Sequence, residues 1–444
     1  MTQGKEEKSI AKKFIGNSGW MIGQQLYNMI LQVVVGSLSA RYLGPSNYGL
    51  INYGASIISF FSIVCRLGLD GVIINEMIKK PEKRGSYLGS ALVMRCSASI
   101  ASLFCIMAIV RVLEPNNTTL CIITLLQAFA VILQSYEVFT YWFQLNLKMK
   151  YVSIATMIAQ TVVGAWRITL LATKASVYFF VLSSSIQYLV CGGVVICCFK
   201  REHNSLKLTY SKDDALYLIR GSYHFIISGL AVTFYSQIDK IMIGKFLDTS
   251  EVGIYTAAAA IATLWEFVPK ALIDSARPLI IELREKDYDK YIRRFQQLLL
   301  AITVLSGVVG IGVTLLGKIA ILVLYGKQYL EATAPLGILI WSTGFAMIGT
   351  ARGIWIVAEG FNKYTKYFVL IGAAVNFTLN LIFIPIMGIT GASITTLISQ
   401  ITVAFVSPLL FKKSRHFDVI YIGCFSQFRE LWEMTKSFLK SKKR

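Results

Sequence analysis

Twelve apolar stretches, each long enough to cross a bilayer, constrain this chain more than any other feature. They fall near residues 14–40, 48–68, 86–111, 119–142, 151–173 and 176–199, then near 221–246, 252–275, 296–317, 332–354, 364–387 and 390–411. About 20 consecutive apolar residues span the hydrocarbon core as a helix. A bilayer offers backbone N–H and C=O groups no water, so a spanning segment must satisfy them internally. The expected fold class is therefore all-α, a polytopic membrane protein of twelve transmembrane helices. Composition agrees, since only 15% of the 444 residues are charged, against about a quarter in soluble proteins. The run Ile319–Tyr325 is too short to span and is expected at the outer face. The first run is too long and too polar for a cleaved signal, because it carries Gln24, Gln25, Asn28 and Gln32.

A net charge of +20 invites a nucleic-acid partner, but its distribution argues against one. Most Lys and Arg fall in alternate loops, on the same side as the two termini. Only Arg41, Arg111, Lys174, Lys245, Lys318 and Lys327 sit in the loops of the other side. This is the positive-inside pattern, which places both termini in the cytoplasm and the chain in the inner membrane. Anionic lipid is the expected partner of this charge, and nucleic acid is not. The eight Cys form no CxxC pair and the three His share no spacing, so no metal site is expected. No GxxxxGK[ST] run is present, which argues against ATP use.

The two halves look related. Shifting the first by 204 residues lays Arg41–Leu50 on Lys245–Ile254 without a gap, with Arg66 on Lys270 and Asp70 on Asp274. This pairs the first span with the seventh, both running outward, as in parallel repeats about an axis along the membrane normal. Transporters built from repeats carry the substrate site where the repeats meet. Two pseudo-symmetric six-helix lobes follow: an N-terminal lobe at 1–199, a cytoplasmic linker at 200–220, a C-terminal lobe at 221–411 and a basic, interfacial cytoplasmic tail at 412–444. The tail carries scattered apolar positions, Phe425, Phe428, Leu431 and Trp432.

Polar residues recur inside the spans at steps of three and four, which lays each set on one helix face. Gln24 and Asn28 do so in span 1, Asn52 through Arg66 in span 2, and Asn376 and Asn380 in span 11. One or two such residues per helix serve interhelical hydrogen bonds; stripes on four or more helices fit a water-filled cavity. Ionisable groups at membrane depth are costly and mark function. The basic ones, Arg66, Arg95, Arg167, Lys270 and Arg352, are candidate walls of a cationic chamber for an anion such as a diphosphate. Arginine suits this task because its fork binds two oxygens at once. Arg66 and Arg352 admit a second reading, snorkelling to the inner interface, and Lys270 a second one, pairing with Glu266 or Asp274. Glu137, Asp239 and Glu266 are candidate carriers of a coupling ion, H+ or Na+, or else salt-bridge partners. No other cofactor is expected.

Three stretches resemble a known family. Ala40-Arg41-Tyr42-Leu43-Gly44-Pro45-Ser46-Asn47-Tyr48-Gly49 resembles the corner between spans 1 and 2 of Wzx-type polysaccharide flippases. Gln237-Ile238-Asp239-Lys240-Ile241-Met242-Ile243-Gly244, followed by Glu251-Val252-Gly253-Ile254-Tyr255, resembles their span 7–8 motif. Val375-Asn376, Asn380, Ile384-Pro385, Gly388-Ile389 and Gly391-Ala392 resemble their span 11–12 signature. The superfamily also holds multidrug and toxin extruders and lipid II flippases. The resemblance implies a V-shaped pair of lobes working by alternating access. It implies a polyprenyl-diphosphate-linked oligosaccharide as cargo for surface polysaccharide biosynthesis, and a polysaccharide polymerase complex as partner. It implies a transporter, not an enzyme. Two rivals differ in class. A multidrug or cation antiporter should present unpaired acids, and a membrane-embedded polymerase or ligase should carry a sizeable outer loop with catalytic residues.

Overall fold

The computed structural model describes the backbone of residues 2–202 and 206–428, and side chains from residue 19 onward within those ranges. Expectations for Leu431, Trp432 and the rest of 429–444 therefore lie outside the described residues. The described chain is helical, with no strand among the described residues. Its helices are α1 (Thr2–Arg66), α2 (Ile73–Lys79), α3 (Arg84–Leu113), α4 (Thr118–Leu133), α5 (Val138–Leu145), α6 (Met149–Ala172), α7 (Val177–Val181), α8 (Ser183–Glu202) and α9 (Lys212–Phe246). They continue with α10 (Thr249–Thr263), α11 (Phe267–Lys286), α12 (Tyr288–Leu324), α13 (Thr333–Ala358), α14 (Asn362–Ile401), α15 (Ser407–Leu409) and α16 (His416–Gly423). Ten stretches among the described residues are long and apolar enough to cross a membrane, so the chain is a multi-pass membrane protein.

Two of those stretches are 48 residues long, about 72 Å at ~1.5 Å per residue, against ~30 Å of hydrocarbon. Each is broken once, α1 at Gly44 (φ 73°) and α14 at Gly388 (φ 60°). A left-handed φ strains any residue with a Cβ, so glycine marks the corner. Side-chain pairs show what the first corner does. Along the first half of α1, Trp20, Tyr27 and Tyr42 meet Lys150, Thr161 and Ala175 in turn, so it runs parallel to α6. Along the second half, Tyr53 meets Glu114 and Cys65 meets Ser102, so it runs antiparallel to α3. The chain thus turns back at Gly44. In α14 the turn is tighter, because Thr395 on the second half donates to Asn380 on the first. Ile319–Tyr325 is not a separate element: up to Leu324 it continues α12 without a break. Gly317, just before it, packs on Leu336 of α13.

The chain divides into two compact units, Met1–Gln237 and Ile238–Arg444. The division falls inside α9, later than the 200–220 linker, and the polar contacts of that linker explain why. Lys83 and Ser86 both donate to the Asp214 carboxylate, at 2.7 and 2.6 Å. Ser90 and Ser211 exchange two hydrogen bonds, and Tyr217 donates to Glu76 at 2.8 Å. The connector and the start of α9 are thereby fastened to the start of α3. The seam is close: a Cβ added at Gly89 would lie 2.4 Å from the Thr209 carbonyl oxygen. Gly89→Ala must displace backbone, and overpacking of this kind costs about 1–3 kcal/mol. Gly193→Ala, where a Cβ meets nothing within 4 Å, should be neutral or stabilising, since helical Gly costs ~1 kcal/mol relative to Ala. Thermal unfolding of the two variants in detergent, side by side, checks the contrast.

Each unit has its own apolar core. In the first, Phe139, Trp142 and Phe143 pack with Met77, Tyr87 and Phe199. In the second, Phe295, Trp355, Phe368 and Phe417 gather α12, α13, α14 and α16.

Candidate functional site

Two arginines of the first unit converge on Glu137. It closes a 3-10 turn, Gln134–Glu137, that separates α4 from α5. Arg95 Nη2 donates to Glu137 Oε2 at 3.0 Å, and Arg66 Nη2 to Oε1 at 3.4 Å. Gln134 Nε2 adds a third hydrogen bond at 3.1 Å. Arg95 also donates to the Tyr141 hydroxyl, which in turn donates to Asp70. Two arginines are thus matched by two carboxylates, and the network is close to neutral. Arg95 is 1% exposed and points into this network, whereas the Arg66 side chain keeps 38% of its surface open.

Arg167 differs from both. It lies on α6, five residues before the helix ends, with Tyr48, Trp166, Leu170 and Phe180 nearby. Its Nε donates to Ser183 Oγ at 3.2 Å. Among the described residues no carboxylate pairs with it. Of the five basic candidates it alone has neither an acid nor a backbone carbonyl as partner among the described residues.

In the second unit Lys270 donates to Glu266 at 2.6 Å, one turn away on the same helical stretch. Arg352 is 3% exposed. Its Nη1 donates to the carbonyls of Val403 and Ala404 at 2.6 and 2.7 Å, and its guanidinium sits over the rings of Phe368 and Phe417. Those carbonyls belong to a π-helical turn, Thr402–Val406, where the regular i→i+4 pairing is interrupted. Arg352 thus fills backbone valences that the turn releases. Asp418 on α16 is its nearest counter-charge; burial pushes that carboxyl up to about 6, against the pull of Arg352.

Asp239 is the acid that stands apart. It is 5% exposed, on α9. It accepts from Asn380 Nδ2 at 2.6 Å, Thr396 Oγ1 at 2.7 Å and the Tyr255 hydroxyl at 2.9 Å. Asn380 also donates to Asn376 Oδ1 at 3.1 Å, and both asparagines are fully buried. The Gly388 corner builds this cluster, since it brings Thr395 and Thr396 back beside Asn380. The result is a buried carboxylate ringed by one amide N–H and two hydroxyl donors.

The remaining polar candidates separate. Asn52 donates back to the Tyr48 carbonyl of its own helix at 2.7 Å. Gln24 is half-buried on α1, and Asn28 keeps a buried Oδ1 that no hydrogen bond satisfies. Sequence reasoning quoted Tyr255 in a motif without giving it a role, and missed Thr395 and Thr396 around Asp239 and Tyr141 beside Arg95. Tyr141 carries a legible signal, one turn after Glu137; the threonines carry none, because their register depends on the corner.

Known proteins share this architecture and parts of the sequence. The chain is 30% identical over 172 residues to "Probable flippase AglR" of Haloferax volcanii, covering 37% of this chain and 36% of that one. The chain therefore spans little more than a third of that relative's length in the aligned region. It is 22% identical over 406 residues to "Probable low-salt glycan biosynthesis flippase Agl15" of the same organism, covering 88% of this chain and 80% of that one. The solved structure titled "Lipid II flippase MurJ, inward closed conformation" superposes with a TM-score of 0.69 at 16% identity, covering 95% of this chain and 93% of that chain. At that identity the likeness is one of fold. The family model described as "Polysaccharide biosynthesis protein" matches residues 14–283, a stretch that holds the Gly44 corner, the Glu137 network, Arg167 and Asp239. The chain belongs to the polysaccharide biosynthesis protein family.

Proposed function

We propose that this protein is a transporter, not an enzyme, that flips a polyprenyl-diphosphate-linked oligosaccharide from the inner to the outer leaflet of the cytoplasmic membrane. In this reading both termini are cytoplasmic, as the Lys and Arg distribution supports. The observation that carries it is Arg167, a guanidinium at membrane depth without a carboxylate. An uncompensated charge there is expensive unless an anion visits it. A diphosphate crossing the bilayer has the converse problem, the loss of water around its charge. Arg167, with the half-exposed Arg66, would replace part of that water by charge-assisted hydrogen bonds. Gln24 and Asn28 on α1 would hydrate the sugars.

Direction does not require ATP. Two negative charges leaving through an inside-negative potential of about 100 mV gain about 4.6 kcal/mol. The Asp239 cluster is the proposed seat of a coupling H+ or Na+. A drug antiporter would offer open acids to its cations, whereas Asp239 is enclosed by its own donors.

Arg167→Gln is the direct test. A charge-assisted hydrogen bond is worth about 1.5–3 kcal/mol, so transfer of lipid-linked oligosaccharide across proteoliposomes should fall about ten-fold or more. Arg167→Lys should retain part of it. Undiminished transfer by the glutamine variant, at matched protein level, removes Arg167 from the cargo path and with it the main support for anionic cargo.

A further inference from the structure

Five exposed cations gather at one end of the second unit, contributed by two segments far apart in sequence. Lys363 and Lys366 open α14, with their ammonium groups 5.4 and 5.1 Å from the ring centres of Tyr364 and Tyr367. Lys412, Lys413 and Arg415 follow α15. Phe411 joins the two sets, because its ring packs against Tyr364, Tyr367 and Phe368 at 5.2–5.8 Å. Among the described residues no carboxylate pairs with any of the five. The nearby acids are engaged elsewhere: Glu359 with Arg284, and Asp418 beside the buried Arg352.

The same segment runs on into α16 and the 3-10 turn Cys424–Gln427 that follows it, a stretch with two apolar faces. Phe417, Ile420 and Cys424 are buried against the core. Val419, Ile422, Phe425 and Phe428, at steps of three, are exposed. Contacts with α12 fix the depth of this stripe. Gln296 Nε2 donates to the Ile420 carbonyl, and the Thr303 and Tyr421 hydroxyls lie 3.2 Å apart. Those α12 residues straddle the point where its apolar run begins, at Leu298-Leu299-Leu300. The stripe therefore lies level with the start of the α12 apolar run, and the cations lie beside it, the order that an interfacial segment presents to acyl chains and lipid phosphates.

We propose that Lys363, Lys366, Lys412, Lys413 and Arg415, together with the stripe Val419, Ile422, Phe425 and Phe428, form one binding site for an anionic phospholipid. The phosphate is held by the cations and the acyl chains lie along the stripe. The site is independent of the cargo path, since it uses none of Arg66, Arg167 or Asp239.

The test uses the full chain in vesicles of equal parts phosphatidylglycerol and phosphatidylethanolamine. The photoreactive residue p-benzoylphenylalanine replaces Ile422, or Ile420 as a buried control, and adducts are identified by mass spectrometry after irradiation. Lipid adducts are expected at 422 and not at 420, with phosphatidylglycerol in excess. One surface charge near an anionic leaflet carries about a five-fold change in partition. Changing all five cations to Gln should therefore abolish the excess, and Lys363→Gln with Lys366→Gln, which leave α16 untouched, should reduce it. A phosphatidylglycerol excess that survives the five-fold variant overturns the proposal. So does an absence of lipid adducts at 422, which would assign the patch to an acidic protein partner instead.

Discussion

Glu137→Leu is expected to lower the unfolding free energy of the protein by about 3–5 kcal/mol, the cost of removing one partner from a buried ion pair. Arg95 would be left 1% exposed, with only the Gln134 carbonyl and the Tyr141 hydroxyl, both at 3.4 Å, to receive its charge. Neither is an anion. Arg66, at the rim, can turn toward solvent and suffers less. The double variant Arg95→Leu/Glu137→Leu should recover most of the loss, because replacing both members of a buried pair by apolar groups is often neutral. Circular-dichroism melts of the native, single and double variants in one detergent measure the cycle. A single variant that melts with the native protein would mean that Glu137 does not neutralise Arg95.

Asp239→Asn is expected to spare the fold and remove the response to the driving ion. The side chain keeps its size, and the Tyr255 and Thr396 hydroxyls can reverse their hydrogen bonds toward the new amide. The charge that would attract a cation is gone. Coupling between two ligands amounts to about 5–150-fold in affinity, and transport should lose that factor of its dependence on an H+ or Na+ gradient. A second readout needs no cargo. If Na+ binds the native state, the melting midpoint in sodium chloride should exceed that in choline chloride, by mass action, and Asp239→Asn should abolish the difference. A variant that still follows the gradient like the native protein would sink the role of Asp239.

Much of the fold is legible in the sequence because membrane helices announce themselves one at a time. The Gly44-Pro45 corner and the Ile384-Pro385 to Gly388 signature both mark real changes of direction. Local detail was harder. Pro269 suggests a kink, and the interruption comes just before it, at Leu264–Glu266. Proline removes a donor and crowds the carbonyl one turn back, so the preceding turn gives way. The site was legible only by residue type. Arg95 and Arg167 look alike in the sequence, both single arginines within apolar runs. What separates them is an acid 42 positions away in one case and none among the described residues in the other. Spacing along one helix cannot report a partner on another. Arg352 shows the same limit, since nothing in the composition of Thr402–Val406 signals a π-helical turn in need of a donor.

That turn has a consequence for how the end of the chain is aimed. A π turn is an α-helix that has taken in one surplus residue, and each residue of an α-helix advances the azimuth by about 100°. Everything that follows, from Pro408 through Phe411 to α16, is pointed by that single surplus. Removing one residue from Thr402–Val406 would let the rod close into an unbroken spiral with no donor required. It would also swing Phe411 away from Tyr364 and Tyr367 and scatter the five cations. A deletion that mends the backbone would thus dismantle the surface, with Arg352 left holding nothing.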